Sequence, residues 1–175
     1  MIGIVVVAVV AAVAGLFRGG SLGALAATEA RGLWLVYAAL VLQVGAQIWS
    51  PAWLTSSAAA AVVVASNLII ALFLTANRKL PGARLAIAGL LLNVVVIAAN
   101  GAMPVSEGAV DARVVVDEGA LKHEPMTDDT VFPWLGDVLP LSIVREIWSA
   151  GDVLLAAGIA TLVYARTTAS SLASD

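Results

Sequence analysis

The chain has 175 residues and a formal net charge of −3; 61% of its residues are apolar, 12% are charged, and the mean hydropathy is +1.00. A soluble domain carries about a quarter of its residues as charge, so this chain lacks the polar groups to cover a water-facing surface, and lipid is the expected solvent. The absence of cysteine excludes disulfides and thiolate chemistry, and a single histidine, His123, excludes a multi-histidine metal centre within one chain.

A span needs roughly 17–25 residues at about 1.5 Å each, and the apolar runs can be taken in chain order on that basis. Ile2–Phe17 predicts a span over about 1–18. Its "AVA" at Ala12–Ala14 resembles a peptidase site, but no basic region precedes the run and Arg18 follows it, which favours an uncleaved helix. In "RGGSLGALAATEARG", Ser21 is placed to cap a short helix reaching about Arg31 along the inner interface. Leu33–Trp49 and Ala58–Ala76 predict spans over 33–49 and 57–76, and "KLPGAR" is a tight turn after the latter. Leu85–Ala99, extended through the uncharged "NGAM", predicts a span over 84–103. Val153–Ala165 has thirteen residues and crosses only if Ser149–Asp152 joins it, giving 149–166. The expected fold is an all-α integral membrane bundle of five transmembrane helices. It forms one domain, with an ordered extracytoplasmic loop over 104–148 made of short helical or irregular segments.

Charge sets the expected orientation. Arg18, Arg31, Arg78, Lys79, Arg84 and Arg166 lie in the segments after the first, third and fifth spans, beside two acids, Glu29 and Asp175. The segment Pro104–Glu146 holds nine acids against Arg113, Lys122 and Arg145. Basic segments face the cytoplasm, so the N-terminus is expected outside and the C-terminus in the cytoplasm. Trp49, Trp53 and Trp148 fall at the expected outer interface, Trp34 and Tyr164 at the inner one.

Polar residues in the spans form stripes. Gly89, Asn93 and Asn100 share a face of the fourth span, Gln43 and Gln47 lie one turn apart on the second, and Asn67 sits mid-way along the third. One reading makes these amides interhelical glue, worth about 1 kcal/mol or less each, and it covers Asn67 and Asn93. The other is an outward-facing polar cavity lined by Gln43, Gln47, Asn100 and Asp152. Amides without charge partners are common packing devices, which favours glue.

The fifth span opens on "SAGD". Ser149 and Asp152 have capping-box spacing, with Trp148 and Val153 placed as a hydrophobic staple and the carboxylate at the positive end of the helix dipole. That role can be the whole explanation of the aspartate, or the same carboxylate can also serve a site beside Gly151.

The segment Pro104–Glu146 is too long for a passive connection. Pro133 and Pro140 prevent one straight helix through "TVFPWLGDVLPLSIV", whose large apolar residues must fold back on the span ends or dip into the interface. "ARVVVDEG" reads as a short strand ended at Gly119. Asp137 lies in an apolar stretch and is a candidate paired or pKa-raised carboxylate. "KHE" groups Lys122, His123 and Glu124; a loop histidine bonded for structure is the simpler reading, a catalytic base the sharper one. Asp128 and Asp129 read as solvated, and the spacing of a calcium-binding EF-hand is absent. No phosphate loop, dinucleotide fingerprint, nucleophile elbow or nucleic-acid footprint is found, and no cofactor or metal is expected.

"NGAMPVS", "KHEPMTDDTVFPWLGDVLPL" and "SAGD" together resemble a family of small bacterial membrane proteins catalogued as a domain of unknown function. The resemblance covers nearly the whole chain and implies a bacterial inner membrane as its location. It points to Asn100, Gly101, Met103, Pro104, Lys122, His123, Gly136, Asp137, Pro140, Gly151 and Asp152, and implies no activity.

Three functions fit. The first is a binding or accessory protein whose cap covers a polar outward-facing site for a lipid headgroup, a small solute or a partner subunit. Its candidate ligands are Gln43, Gln47, Asn100, Lys122, His123, Asp137 and Asp152, and its partners are the bilayer and a membrane protein or a second copy. The second is an embedded enzyme acting on a lipid-linked substrate with Asp152, Asp137 and His123 as acid–base groups. The third is a small transporter, against which stand the lack of mid-depth charge and of paired broken helices. Convergence of the two aspartates and the histidine on one pocket separates catalysis from binding.

Overall fold

The structure, a computed structural model, describes residues 2–48, 56–110 and 123–169. Helices dominate it: α1 Ile2–Phe17, α2 Leu22–Ala26, α3 Leu33–Ile48, α4 Ser56–Ala76, α5 Ala83–Asn100, α6 Glu107–Val110 and α7 Ala150–Thr168. Residues 57–76, α5 and α7 are long and apolar enough to cross a membrane, and α1 and α3 are shorter apolar helices, a set that fits a membrane protein. The expected Trp49 and Trp53 anchors and the strand over "ARVVVDEG" lie outside the described residues.

Two boundaries differ from expectation. The helix expected to reach Met103 stops at Asn100, because Gly101 turns left-handed at φ 80° and donates its N–H to Ile97 O. Met103–Val105 instead forms strand β1. The helix that Ser21 caps ends at Ala26 rather than near Arg31; the Ser21 hydroxyl accepts from Ala24 N–H at 3.1 Å. The cap also adds short β structure to the expected all-α plan. β1 pairs in parallel with β2, His123–Pro125, and β3, Leu139–Leu141, pairs antiparallel with β4, Glu146–Trp148.

Each long helix packs chiefly on the next in the order α3, α4, α5, α7, α1. The last helix is therefore inserted between α5 and the first. Glycines make the α5–α7 contact close: a Cβ on Gly158 would lie 2.7 Å from Gly82 O and from Ala86 N, and one on Gly151 would lie 2.7 Å from Gly89 O. Gly82 thus faces Gly158 and Gly89 faces Gly151, so the helices run antiparallel with backbones in direct contact. Small residues at such spacing let membrane helices approach without a side chain between them.

This pairing sets a vertical step. α5 continues eleven residues beyond Gly89, from Gly89 to Asn100, whereas α7 begins one residue before Gly151. At about 1.5 Å per residue, α5 overtops α7 by roughly 15 Å. α1 is level with α7 and parallel to it. A Cβ on Gly3 would meet the Trp148 ring, one on Gly15 would meet the Thr167 side chain, and Ser21 N–H donates to Thr167 O at 2.9 Å.

The two ends of the bundle differ in charge. Arg18 follows α1, Arg31 N–H and C=O bond the side chain of Asn77 at the end of α4, Arg84 lies in the first turn of α5 and Arg166 in the last of α7. The described parts of the cap, 103–110 and 123–148, fold at the opposite end, where Met103 and Leu135 pack against Ala60, Val63, Val96 and Ile97.

Because the atoms nearest a Cβ on Gly158 are backbone, Gly158→Val should separate α5 from α7 and cost about 1–3 kcal/mol or more. Unfolding in mixed micelles at rising SDS measures it, with Gly45→Ala as the comparison, since a Cβ there meets nothing within 4 Å.

Candidate functional site

The capping box of α7 forms. Asp152 N–H donates to Ser149 Oγ at 3.0 Å, and Ser149 N–H donates to Asp152 Oδ2 at 3.1 Å. The box is also tied to α5. Asn93 Nδ2 donates to Asp152 Oδ1 at 2.9 Å, and Asn93 Oδ1 lies 3.0 Å from Ser149 Oγ. Ser149 Oγ also lies 2.9 Å from Asp152 Oδ2, so its one hydrogen serves two acceptors. Ser149 and Asn93 are buried and Asp152 is half-buried. The missing Cβ of Gly151 leaves room for the Asn93 amide. Asn93, read from the sequence as a packing amide, is thus the residue that meets Asp152.

Asp137 lies elsewhere. Its N–H donates to Pro104 O at 2.8 Å and its C=O accepts from Ser106 N–H at 3.0 Å, which bridges it to β1. β2 lies on β1 in the register Met103↔His123, Pro104↔Glu124, Val105↔Pro125. β1 therefore gathers both the His123–Pro125 segment and the Gly136–Asp137 segment. Gly136 is needed there, since a Cβ would lie 2.6 Å from Pro104 O and 2.7 Å from the Met126 methyl. Asp137 is buried, and its backbone is part of this framework.

Asn100 is neither beside Asp152 nor free. Its Oδ1 accepts from Val131 N–H at 2.8 Å, and its Nδ2 donates to Val131 O and to Val96 O, both at 2.9 Å. It clamps the 127–131 turn to the end of α5 as a neighbouring strand would. Beside this clamp opens a cleft of about 250 Å³ with Asn100, Glu124, Thr127, Asp129 and Thr130 among its walls. Asn77 works in the same way at the other end, pairing with both backbone groups of Arg31, at 2.8 and 2.9 Å. An asparagine at the end of a helix was the available signal for both.

Gln43 Nε2 donates to Ser66 Oγ at 2.7 Å, joining α3 to α4. Gln47 lies on α3 and His123 in β2, but their side chains, like the whole of Lys122, lie outside the described residues. Among the described residues, no group of three or more potential metal ligands forms.

Sequence reading also missed Glu146. Its Oε2 accepts from Gly3 N–H at 3.0 Å and from Trp148 Nε1 at 3.0 Å, and its Oε1 from Ile2 N–H at 2.5 Å. α1 has no acid in its first turn, so a carboxylate 143 residues away meets the positive end of its dipole. Burial raises the Glu146 carboxyl, but the donors and positive charge around it, Trp148 and Gly3 among them, bring it below its ordinary value.

Two substitutions test these assignments. Asn93→Leu leaves Ser149 and Asp152 without their partner on α5 and should cost about 1–2 kcal/mol in the same SDS titration. Asn100→Ala should leave the bundle folded but release the turn at Val131, seen as faster proteolytic nicking between Thr127 and Val131.

No curated protein and no solved structure matches the chain. A family model described as a family of unknown function, DUF5317, matches residues 27–164. The match begins just after α2 and takes in α3 to α5, the cap, the Ser149–Asp152 box and most of α7. The chain belongs to this family of unknown function.

Proposed function

We propose that the protein is a five-span membrane protein with its N-terminus outside and its C-terminus in the cytoplasm, and that its extracytoplasmic cap binds a polar ligand. That ligand is a lipid headgroup, a small solute or a group on a partner subunit. The observation carrying the binding role is the cleft at the mouth of α5, with its amide, hydroxyl and carboxylate groups beside a turn that Asn100 holds in place. Orientation is supported by the bases at one end of the bundle and the cap at the other.

The catalytic alternative needs Asp137, Asp152 and His123 on one water-filled pocket. Asp152 instead meets Asn93 and Ser149, while Asp137 is bonded through its backbone to Pro104 and Ser106. Those positions support a framework role for both aspartates. A transporter reading gains no observation of its own.

Because the chain has no cysteine, single-cysteine variants map topology directly. Asp128→Cys should react with an impermeant maleimide in intact cells, and Lys79→Cys only after lysis; the reverse result overturns the orientation. Mass spectrometry of the protein purified in native-membrane nanodiscs tests binding. A lipid, solute or subunit should be retained by the wild type and by Asp152→Asn, and lost from the double variant Glu124→Gln, Asp129→Asn. Equal retention by all three overturns the cleft as the site.

A further inference from the structure

The step between α5 and α7 decides where the bilayer surface can run. From the end of α5 down to the level of Gly89 and Gly151, and on to the end of α7, the described helices extend roughly 42 Å along their axes. A hydrocarbon core is about 30 Å thick. No placement buries both helices completely, so part of at least one of them projects beyond the core.

The step is not empty. The 3-10 turn Pro133–Leu135 touches both α5 and α7, and β4 runs directly into α7. Leu139 pairs with Trp148, whose ring lies over Gly3 at the start of α1. The β3–β4 hairpin is thereby anchored at the start of α1, where Ile2 and Val5 are exposed apolar residues. The hairpin and the 3-10 turn expose apolar side chains as well: Ile143 at the hairpin tip is 98% exposed, Trp134 in the turn 66%, and Leu139 is exposed at the hairpin base.

The polar groups of this piece are sorted. Glu146 is turned inward onto the N–H groups of Ile2, Gly3 and Trp148, whereas Arg145 is exposed next to the apolar tip. Phe132 and Arg145, both at φ 56°, are the non-glycine residues with positive φ among the described residues. Such backbone costs of order 1–3 kcal/mol each and persists where the surroundings compensate for it. Phe132 is held edge-on against Trp134, with ring centroids 5.9 Å apart.

We infer that the β3–β4 hairpin and the Phe132–Trp134 turn form an interfacial wedge that binds the phospholipid leaflet on the cap side. Ile143, Leu139 and Trp134 lie among the upper acyl chains, and Arg145 lies at the level of the phosphates. Two facts set the wedge at the boundary rather than deeper. A two-stranded hairpin leaves backbone groups that hydrocarbon cannot satisfy, and indole and guanidinium groups favour the headgroup region. The inference rests on the membrane-spanning reading of the bundle but not on which side of the membrane the cap occupies.

The test uses the full chain in vesicles of phosphatidylcholine and phosphatidylglycerol, with a bimane fluorophore on Ile143→Cys or, as a control on the far part of the cap, on Asp128→Cys. Lipids spin-labelled near the headgroup end of the acyl chain should quench the Ile143 probe at least twofold more than the Asp128 probe. Aqueous iodide should show the opposite order. Equal iodide quenching at both positions overturns the wedge, and so does an Ile143 probe shielded from both quenchers, which signals a protein partner on this surface. An Asp128 probe inaccessible to iodide counts against the exposed cap of the proposed function and leaves the comparison at Ile143 intact. Leu139→Cys carries the same test should Ile143→Cys fail to fold.

Discussion

Backbone contact between α5 and α7 is the constraint on which the other features depend. Where Gly82 faces Gly158 and Gly89 faces Gly151, no side chain separates the helices, and their relative height cannot slide without a clash. In lipid no hydrophobic force draws helices together, so close packing and polar bonds between them carry the association. The seam supplies the packing, and the Asn93–Asp152–Ser149 knot supplies the bonds at its cap end. From that fixed height follow the depth of the capping box, the level of α1 beside α7 and the recess in which the cap sits.

The polar side chains in and around the bundle are spent largely on organising backbone. Asn77 and Asn100 each present an amide edge to one residue of a passing segment, satisfying its N–H and C=O together. Glu146 does the same for the first N–H groups of α1. Unpaired backbone groups are expensive away from water, so these side chains let irregular segments lie against helix ends. Chemistry is therefore sought on the open side of the cap rather than among the bonds that build it.

Much of this was legible in the sequence. The apolar runs locate the long helices to within a few residues, since hydropathy and helix length act on one segment at a time. The box at Ser149 and Asp152 was readable because its two residues are three apart. The pairing of Asn93, rather than Asn100, with Asp152 was not. Ranking polar residues by depth assumes that neighbouring spans start flush, and the glycine seam displaces α7 by about two helical turns or more. The partner of α1 was hidden for the same reason, since nothing in "IGIVVVAVV" names Glu146 or Thr167. In the cap, proline and glycine marked the breaks, but strand pairing around β1 joins segments far apart in the chain, which local pattern does not encode.

The position of α7 between α5 and α1 also bears on biosynthesis. α1 is the earliest described helix to leave the ribosome, yet its principal neighbour is α7, and the Glu146 that meets its first turn is made only shortly before that helix. α3, α4 and α5 can associate in the order they emerge, each against its predecessor. α1 must wait without these native contacts until α7 has been made. Its sequence is apolar and uncharged throughout, and the bundle is closed when α7 packs between α1 and α5.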